Sequence, residues 1–215
     1  PVRVLPAAAI SKGLSTGELT DFPALAAAGA AAFTDDGRPA ASAAVLRAAL
    51  RAAAKLGKPV LCHCEDLSLA AGGLVNEGAV SRALGVPGLP ASAEAVHAAR
   101  ETLVAMEEGL PVHLMHMSAR ASVELLRDLK RRGARVTAET CPHYFALDES
   151  MALSRDADYR MNPPLRTKDD VAAVIEALRD GTLDCIATDH APHSPAEKAD
   201  FLTAPNGIVG LETLL

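Results

Sequence analysis

Pro59-Val60-Leu61-Cys62-His63-Cys64-Glu65-Asp66 sets the pattern of the whole chain: a short apolar run stops abruptly in polar, ligand-type side chains. Its length and content suit a buried strand, and the polar residues follow where the strand ends. Working outward, three more runs end the same way. Phe33-Thr34 leads into Asp35-Asp36-Gly37, Leu114-Met115 into His116-Met117-Ser118, and Cys185-Ile186-Ala187-Thr188 into Asp189-His190-Ala191-Pro192-His193. No comparable cluster stands at the strand starts.

The candidate strands are Val2–Ile10, Ala31–Thr34, Pro59–His63, Val112–Met117, Arg135–Cys141 and Leu183–Thr188. Between them lie stretches of helical period with readable ends. Ser42 caps a helix carrying Val45, Leu46, Leu50 and Ala53, with Gly57 just beyond it. Ser92 is expected to cap a second, with Val96, Ala99, Leu103 and Met106 along one face. Ser118 or Ser122 opens a third, with Val123, Leu126 and Leu129, and Gly133 closes it. Thr167 and Asp170 have the spacing of a capping box ahead of Val171, Val174, Ile175 and Leu178. These stripes need no explanation beyond core packing.

Repeated strand–helix units predict an α/β fold with a parallel sheet, doubly wound or closed as a barrel. In either form chemistry gathers at the carboxyl ends of the strands, which is where the polar clusters stand.

The chain has 215 residues, 49% hydrophobic and 22% charged, with a formal net charge of -6. That is enough for one large core and ordinary for a globular protein. Scattered Lys and Arg on an acidic chain offer no basic face, so nucleic acid is not an expected partner. No apolar run approaches the roughly 20 residues that cross a bilayer, so no membrane partner is expected either. The four cysteines, Cys62, Cys64, Cys141 and Cys185, sit in apolar strand-like runs and are expected to be buried and reduced, which points to a cytoplasmic location. Cys62 and Cys64 share one strand face and His63 the other, so the two thiols are read as packing. The first residues, Pro1-Val2-Arg3-Val4-Leu5, lack a signal-peptide pattern, and the absence of an initiator Met together with the abrupt stop at Leu214-Leu215 leads to the expectation of a fragment.

One His or Asp after one strand is most simply a satisfied structural group or a solvated loop charge. Four strands ending in Asp, His, His and Asp are different, because imidazoles and carboxylates converging on one rim make a site for a borderline divalent metal. Together with Asn162-Pro163-Pro164-Leu165-Arg166 and Gly207-Ile208-Val209-Gly210, these motifs resemble in order and spacing those of bacterial dihydroorotases. These enzymes belong to the amidohydrolase superfamily of metal-dependent (β/α)8 TIM-type barrels.

The resemblance implies a zinc-dependent cyclic amidohydrolase of pyrimidine biosynthesis, interconverting dihydroorotate and N-carbamoyl-L-aspartate. It implies that Asp36, rather than Asp35, bridges two metal ions, that His63 and His116 bind the second, and that Asp189 binds the first and is the catalytic acid and base. Asn162 would contact the substrate ring, His193 its carboxylate, and the Asn206-Gly207 backbone another edge. His97 is read as surface or packing, His113 as structural, and His143 and His190 as shaping the site. The family's His-x-His pair and following Arg are absent from this sequence, as is its substrate Asn. The resemblance therefore assigns a single partial barrel domain over residues 1–215, about strands three to eight. The first-metal site is incomplete in it, and the isolated chain is expected to be poorly stable and inactive.

Besides the small-molecule substrate, a second copy of the chain and aspartate transcarbamoylase are the protein partners left open. Two rival readings share the barrel. A hydantoinase or allantoinase would offer a lysine where Asp36 stands. A silent subunit that scaffolds aspartate transcarbamoylase would lose ligands that this span retains.

Overall fold

The computed structural model describes residues 2–70 and 72–213. Its elements run in the order β1 (Ala7–Ala8), α1 (Phe22–Ala27), β2 (Ala32–Phe33), α2 (Ala43–Ala54), β3 (Leu61–Cys62), α3 (Leu67–Ala70), β4 (Val75–Asn76), α4 (Ala79–Leu84) and β5 (Gly88–Leu89). Then follow α5 (Ala91–Glu108), β6 (Val112–Leu114), α6 (Arg120–Arg131), β7 (Val136–Thr140), α7 (Pro142–Ala146), α8 (Lys168–Arg179) and β8 (Cys185–Ile186), with short 3-10 turns at Glu149–Ser154, Ala157–Tyr159 and Leu211–Thr213.

β3, β6, β7 and β8 pair in that order, all parallel, and β1 pairs parallel with β2. A parallel bridge from Phe33 to Val60 joins the two groups into one array. β4 and β5 form a separate parallel pair. Alternation along the strands divides the array into two faces. Val60, Cys62, Val112, Leu114, Val136 and Ala138 are buried in the main core. Among the intervening residues, Leu61, His113 and Glu139 are only half-buried and Thr137 is exposed.

α2, α6 and α8 cover the buried face with apolar stripes of helical period, whereas on α5 the expected Val96 and Leu103 are exposed and Ala93, Ala98 and Ala105 are buried instead. Val45, Leu46, Ala49, Leu50 and Ala53 supply the stripe of α2, Val123, Leu126 and Leu129 that of α6, and Ala173, Val174 and Ala177 that of α8. Each fully buried Leu or Val there contributes about 1.5–3 kcal/mol of burial free energy.

Ser42 caps α2 by accepting from the Val45 amide at 3.2 Å. Thr167 and Asp170 form the reciprocal box at the start of α8. Two expected caps are corrected. α5 starts after Pro90, whose fixed φ leads into the helix, and Ser92 lies inside it. α6 starts after Ala119, not at Ser118 or Ser122. Its leading amides at Ser118 and Ala119 donate instead to the Glu94 carboxylate of α5, at 3.1 Å each. A cap borrowed from another helix leaves no local signal.

The strands are shorter than the apolar runs. Of Val2–Ile10, Ala7 and Ala8 are the strand residues among those described, and Val2, Val4 and Leu5 are exposed. Among the described residues β1 pairs only with β2 and β8 only with β7, so the outer edge of each end strand lacks a partner to extend its ladder. The same openness overturns the expected burial of Cys185, which is exposed, whereas Cys62, Cys64 and Cys141 are buried and all four are free thiols.

His97 is buried on α5, near Glu101, whose side chain is wholly buried and receives the Arg100 guanidinium at 2.6 Å. Burial pushes Glu101 up to about 7 from the ordinary 4.5. The folded state therefore prefers the protonated acid, a contribution present below pH 4.5 and lost as pH rises through 7. Glu101→Gln removes that dependence. Thermal melts at pH 5 and pH 8 are expected to show the variant gaining on the wild type as pH rises, and a pH-independent difference would contradict this account.

Candidate active site at the carboxyl rim

Each strand delivers its polar residue within one to three positions of its end. His63 follows β3 directly, His116 stands two residues after β6, and Asp36 and Asp189 stand three after β2 and β8. Because the strands are parallel, these positions share one rim. His116 and Asp189 both leave their strands with left-handed backbone, φ 41° and 46°. This conformation is costly for residues other than glycine and clusters at functional sites.

His63 Nδ1 and His116 Nε2 approach to 2.9 Å. Asp36 Oδ1 lies 3.9 Å from the first and 3.7 Å from the second. These three side chains offer ligand atoms within 4.8 Å of one another. Asp36, Gly37, His63, His116, Asn162, Asp189, Ala191, Asn206 and Gly207 line one cavity of about 280 Å³.

The adjacent carboxylates at positions 35 and 36 have separate tasks. Asp35 is buried and accepts from the Ser11 amide at 3.0 Å, the Ser11 hydroxyl at 2.5 Å and the Ser15 amide at 3.1 Å. It ties the β1–α1 loop to the end of β2. Asp36, turned the other way, reaches the histidines.

The electrostatics of the rim pull its carboxylates apart. The His116 imidazole 3.7 Å away, with His63 beside it, holds Asp36 below its ordinary value. Burial raises Asp189, and the neighbouring Asp36 charge adds to that rise while His116 and His63 oppose it. His116 rises overall: burial lowers it, but Asp36 and Asp189 outweigh that. The buried Nδ1 of His116 has no hydrogen-bond partner among the described residues.

Two imidazole nitrogens and a carboxylate oxygen aimed at one point form a donor set suited to a borderline divalent cation. Without a cation, the 2.9 Å approach of the two nitrogens needs a proton held between them. The residues present therefore fit a metal ion.

Of the expected substrate contacts, Asn162, Asn206 and Gly207 line this cavity. His193 stands beyond it, lining a neighbouring cavity of about 490 Å³ that shares Gly207, with its Nε2 3.1 Å from the Asn206 carbonyl. The Asn206-Gly207 loop is held from below. Lys198 donates to the carbonyls of Ala157, Arg160 and Gly207 at 3.0, 3.1 and 2.7 Å, and Arg160 reaches Asn206 Oδ1 at 3.3 Å. Gly207 has φ 152°, and a Cβ there would fall 2.2 Å from the Ala191 carbonyl, so only glycine fits.

His190 Nδ1 accepts from the Gly210 amide at 3.0 Å and fastens the loop's far end. His113 binds Thr137 and Glu139 on the half-buried face. His143 is buried against Tyr144, with burial pushing it down to about 4, and its ligand atom and that of Cys141 lie within 4.8 Å of Asp189's. Sequence reasoning gave no separate role to Glu65, whose Oε2 lies 3.1 Å from both His63 Nε2 and Asn162 Nδ2. Its position two residues after His63 was the available signal.

The parallel array with its acidic and histidine rim is the architecture of an amidohydrolase-type barrel. The L-hydantoinase (dihydropyrimidinase) of Arthrobacter aurescens superposes with a TM-score of 0.79 at 22% identity, over 96% of this chain and 48% of that one, which shows the fold. Residues 1–122 match the family described as Dihydro-orotase-like. Among curated proteins, the dihydroorotase of Pelotomaculum thermopropionicum is 51% identical over 213 residues, 99% of this chain and 50% of that protein. The dihydroorotase of Syntrophus aciditrophicus is 48% identical over 215 residues, again 50% of its length. The chain belongs to the dihydroorotase-like family, and it spans about half the length of the curated relatives it matches.

The contrast between the paired aspartates is testable. Asp35→Asn turns an acceptor into a donor facing two amides and a hydroxyl, so it should cost about 1–3 kcal/mol in denaturant unfolding. Asp36→Asn should leave unfolding within about 0.5 kcal/mol of the wild type, as for an exposed position, yet weaken Co2+ binding at least tenfold by calorimetry. The reverse pattern would exchange the two roles.

Proposed function

We propose that this chain carries the greater part of a dihydroorotase active site, catalysing the reversible hydrolysis of dihydroorotate to N-carbamoyl-L-aspartate. The observation that carries this reading is the meeting of Asp36, His63 and His116 within ligand distance at the carboxyl rim, in one cavity with Asp189. Membership of the dihydroorotase-like family supports the substrate, and the structural likeness to a hydantoinase supports cyclic-amide hydrolysis as the chemistry.

Asp36, His63 and His116 would hold the cation, for which zinc suits the donor set. The chemistry such an ion would supply when bound is a lowered pKa for a bound water and polarisation of the amide carbonyl. Asp189 manages the proton. Its burial and the nearby Asp36 charge favour the protonated acid more than at an ordinary carboxylate, which suits a group that takes a proton from the attacking water and returns it to the leaving ring nitrogen. As the new C–O bond forms and the ring C–N bond breaks, the proton passes through one Asp189 oxygen. Ring closure uses the same group in reverse.

Asp36, held low and ionised, serves the opposite role of fixed negative charge. Environments that push two carboxylates apart divide stabiliser from acid–base catalyst. Asn162 and the Asn206-Gly207 backbone would bind the ring amide edges, with His193 at the outer end for the substrate carboxylate. The same reading takes the cytoplasm as the compartment, residues 1–215 as one partial barrel domain, and a second copy or aspartate transcarbamoylase as protein partners. No helix among the described residues is long and apolar enough to cross a membrane.

A hydantoinase or allantoinase activity is the alternative that shares the fold. Turnover of dihydroorotate, hydantoin and allantoin should be compared in the full-length polypeptide that carries these residues. Dihydroorotate is expected to be the preferred substrate, and Asp189→Asn to lower its kcat by about 10²–10⁴. Equal turnover by that variant would remove Asp189 from the proton path, and a preference for hydantoin would reassign the substrate.

A further inference from the structure

Glu65 is buried, two residues past His63, and among the described residues makes no ion pair with Lys or Arg. One of its oxygens, Oε2, receives two partners from different parts of the chain: His63 Nε2 at 3.1 Å and Asn162 Nδ2 at 3.1 Å. An ionised carboxylate only accepts hydrogen bonds. The His63 proton therefore belongs on Nε2, which leaves Nδ1 as an acceptor with its lone pair turned to the rim. That nitrogen faces His116 Nε2 at 2.9 Å and Asp36 Oδ1 at 3.9 Å. The contact with Glu65 also settles the Asn162 amide, because its NH2 must point at the carboxylate and its carbonyl oxygen elsewhere.

We infer that Glu65 is a positioning residue: its single oxygen sets the His63 tautomer that presents Nδ1 to the rim and, through the same atom, fixes the amide of Asn162 beside it. The inference rests on the reading that His63 binds a cation and Asn162 a substrate. A carboxylate behind a ligating imidazole orients the ring and raises its basicity, and its loss typically weakens metal binding 10–100-fold. The sharing of one atom adds a consequence that an ordinary supporting carboxylate lacks. A change on the cation side of His63 is felt at Asn162, 97 positions away in sequence, because both compete for the same lone pairs. Simple structural satisfaction of a buried acid predicts a stability loss on mutation and no effect on tautomer, cation affinity or coupling.

The first measurement needs no variant. Long-range 15N–1H correlation spectra of the wild-type polypeptide without metal are expected to show His63 as the Nε2–H tautomer. A His63 proton found on Nδ1 would overturn the inference. Titration with Co2+ alone is then compared between wild type and the isosteric Glu65→Gln, with melting curves to verify folding. Affinity is expected to fall 10–100-fold at nearly unchanged melting temperature, and equal affinity would overturn the inference.

In turnover, Asn162→Ala is expected to raise KM less in a Glu65→Gln background than in wild type, because the amide is already released. Strictly additive effects would overturn the coupling. If wild type shows the Nε2–H tautomer yet binds no Co2+, the proposed cation site fails while the placement of the proton by Glu65 stands. The two readings therefore fail separately.

Discussion

Parallel pairing is the constraint on which the rest of this chain depends, because strands that run in one direction must all end on one side. β3, β6, β7 and β8 pair in parallel, and the bridge from Phe33 to Val60 continues the array to β2. Residues that follow strands far apart in sequence thus arrive at one rim. Were a single strand reversed, its His or Asp would lie at the opposite end of the sheet. The side-chain alternation completes the effect. Val60, Cys62, Val112 and Leu114 face the helices, so the positions that follow them are carried to the rim by a backbone that packing holds in place.

Below the rim, a buried polar network replaces hydrophobic packing. The Arg166 guanidinium is almost fully buried and donates to the Ser118 hydroxyl at 3.1 Å, Asn76 Oδ1 at 2.9 Å and the Leu89 carbonyl at 2.8 Å, while Glu94 bonds the Ser118 hydroxyl from the other side. Burial lowers Arg166 despite the opposing Glu94 charge, yet a guanidinium stays protonated even so. This network joins the Asn162–Arg166 segment, the β4–β5 pair and the start of α6. Removing one partner would strand the other charges in a dry interior. The Asp35 cluster likewise ties down the loop after β1.

Much of this was legible in the sequence because it is local. Apolar runs ending in His or Asp marked the strand ends, and hydroxyl-bearing residues at the right spacing marked the starts of α2 and α8. Other features were hidden because their causes are distant. The cap of α6 comes from Glu94, so Ser118 and Ser122 carried a misleading local signal. Short elements such as α1 and α4 have too few residues for periodicity to register. Cys185 looks like a core thiol from its neighbours, yet its strand pairs on one side only, and burial depends on neighbours that local context does not reveal.

The sequence by itself determined the alternation of strand and helix, the set of polar residues at strand ends, and the family to which those motifs belong, since period and composition act over a few neighbouring positions. Only the tertiary structure decided that Asp35 serves the Ser11 loop, that His116 and Asp189 turn through left-handed backbone, that His193 stands in the adjoining cavity, and that Glu65 touches both His63 and Asn162. Adjacent residues look alike to any local pattern. Their side chains part company only when distant backbone amides and imidazoles, brought close by folding, compete for the same carboxylate oxygens.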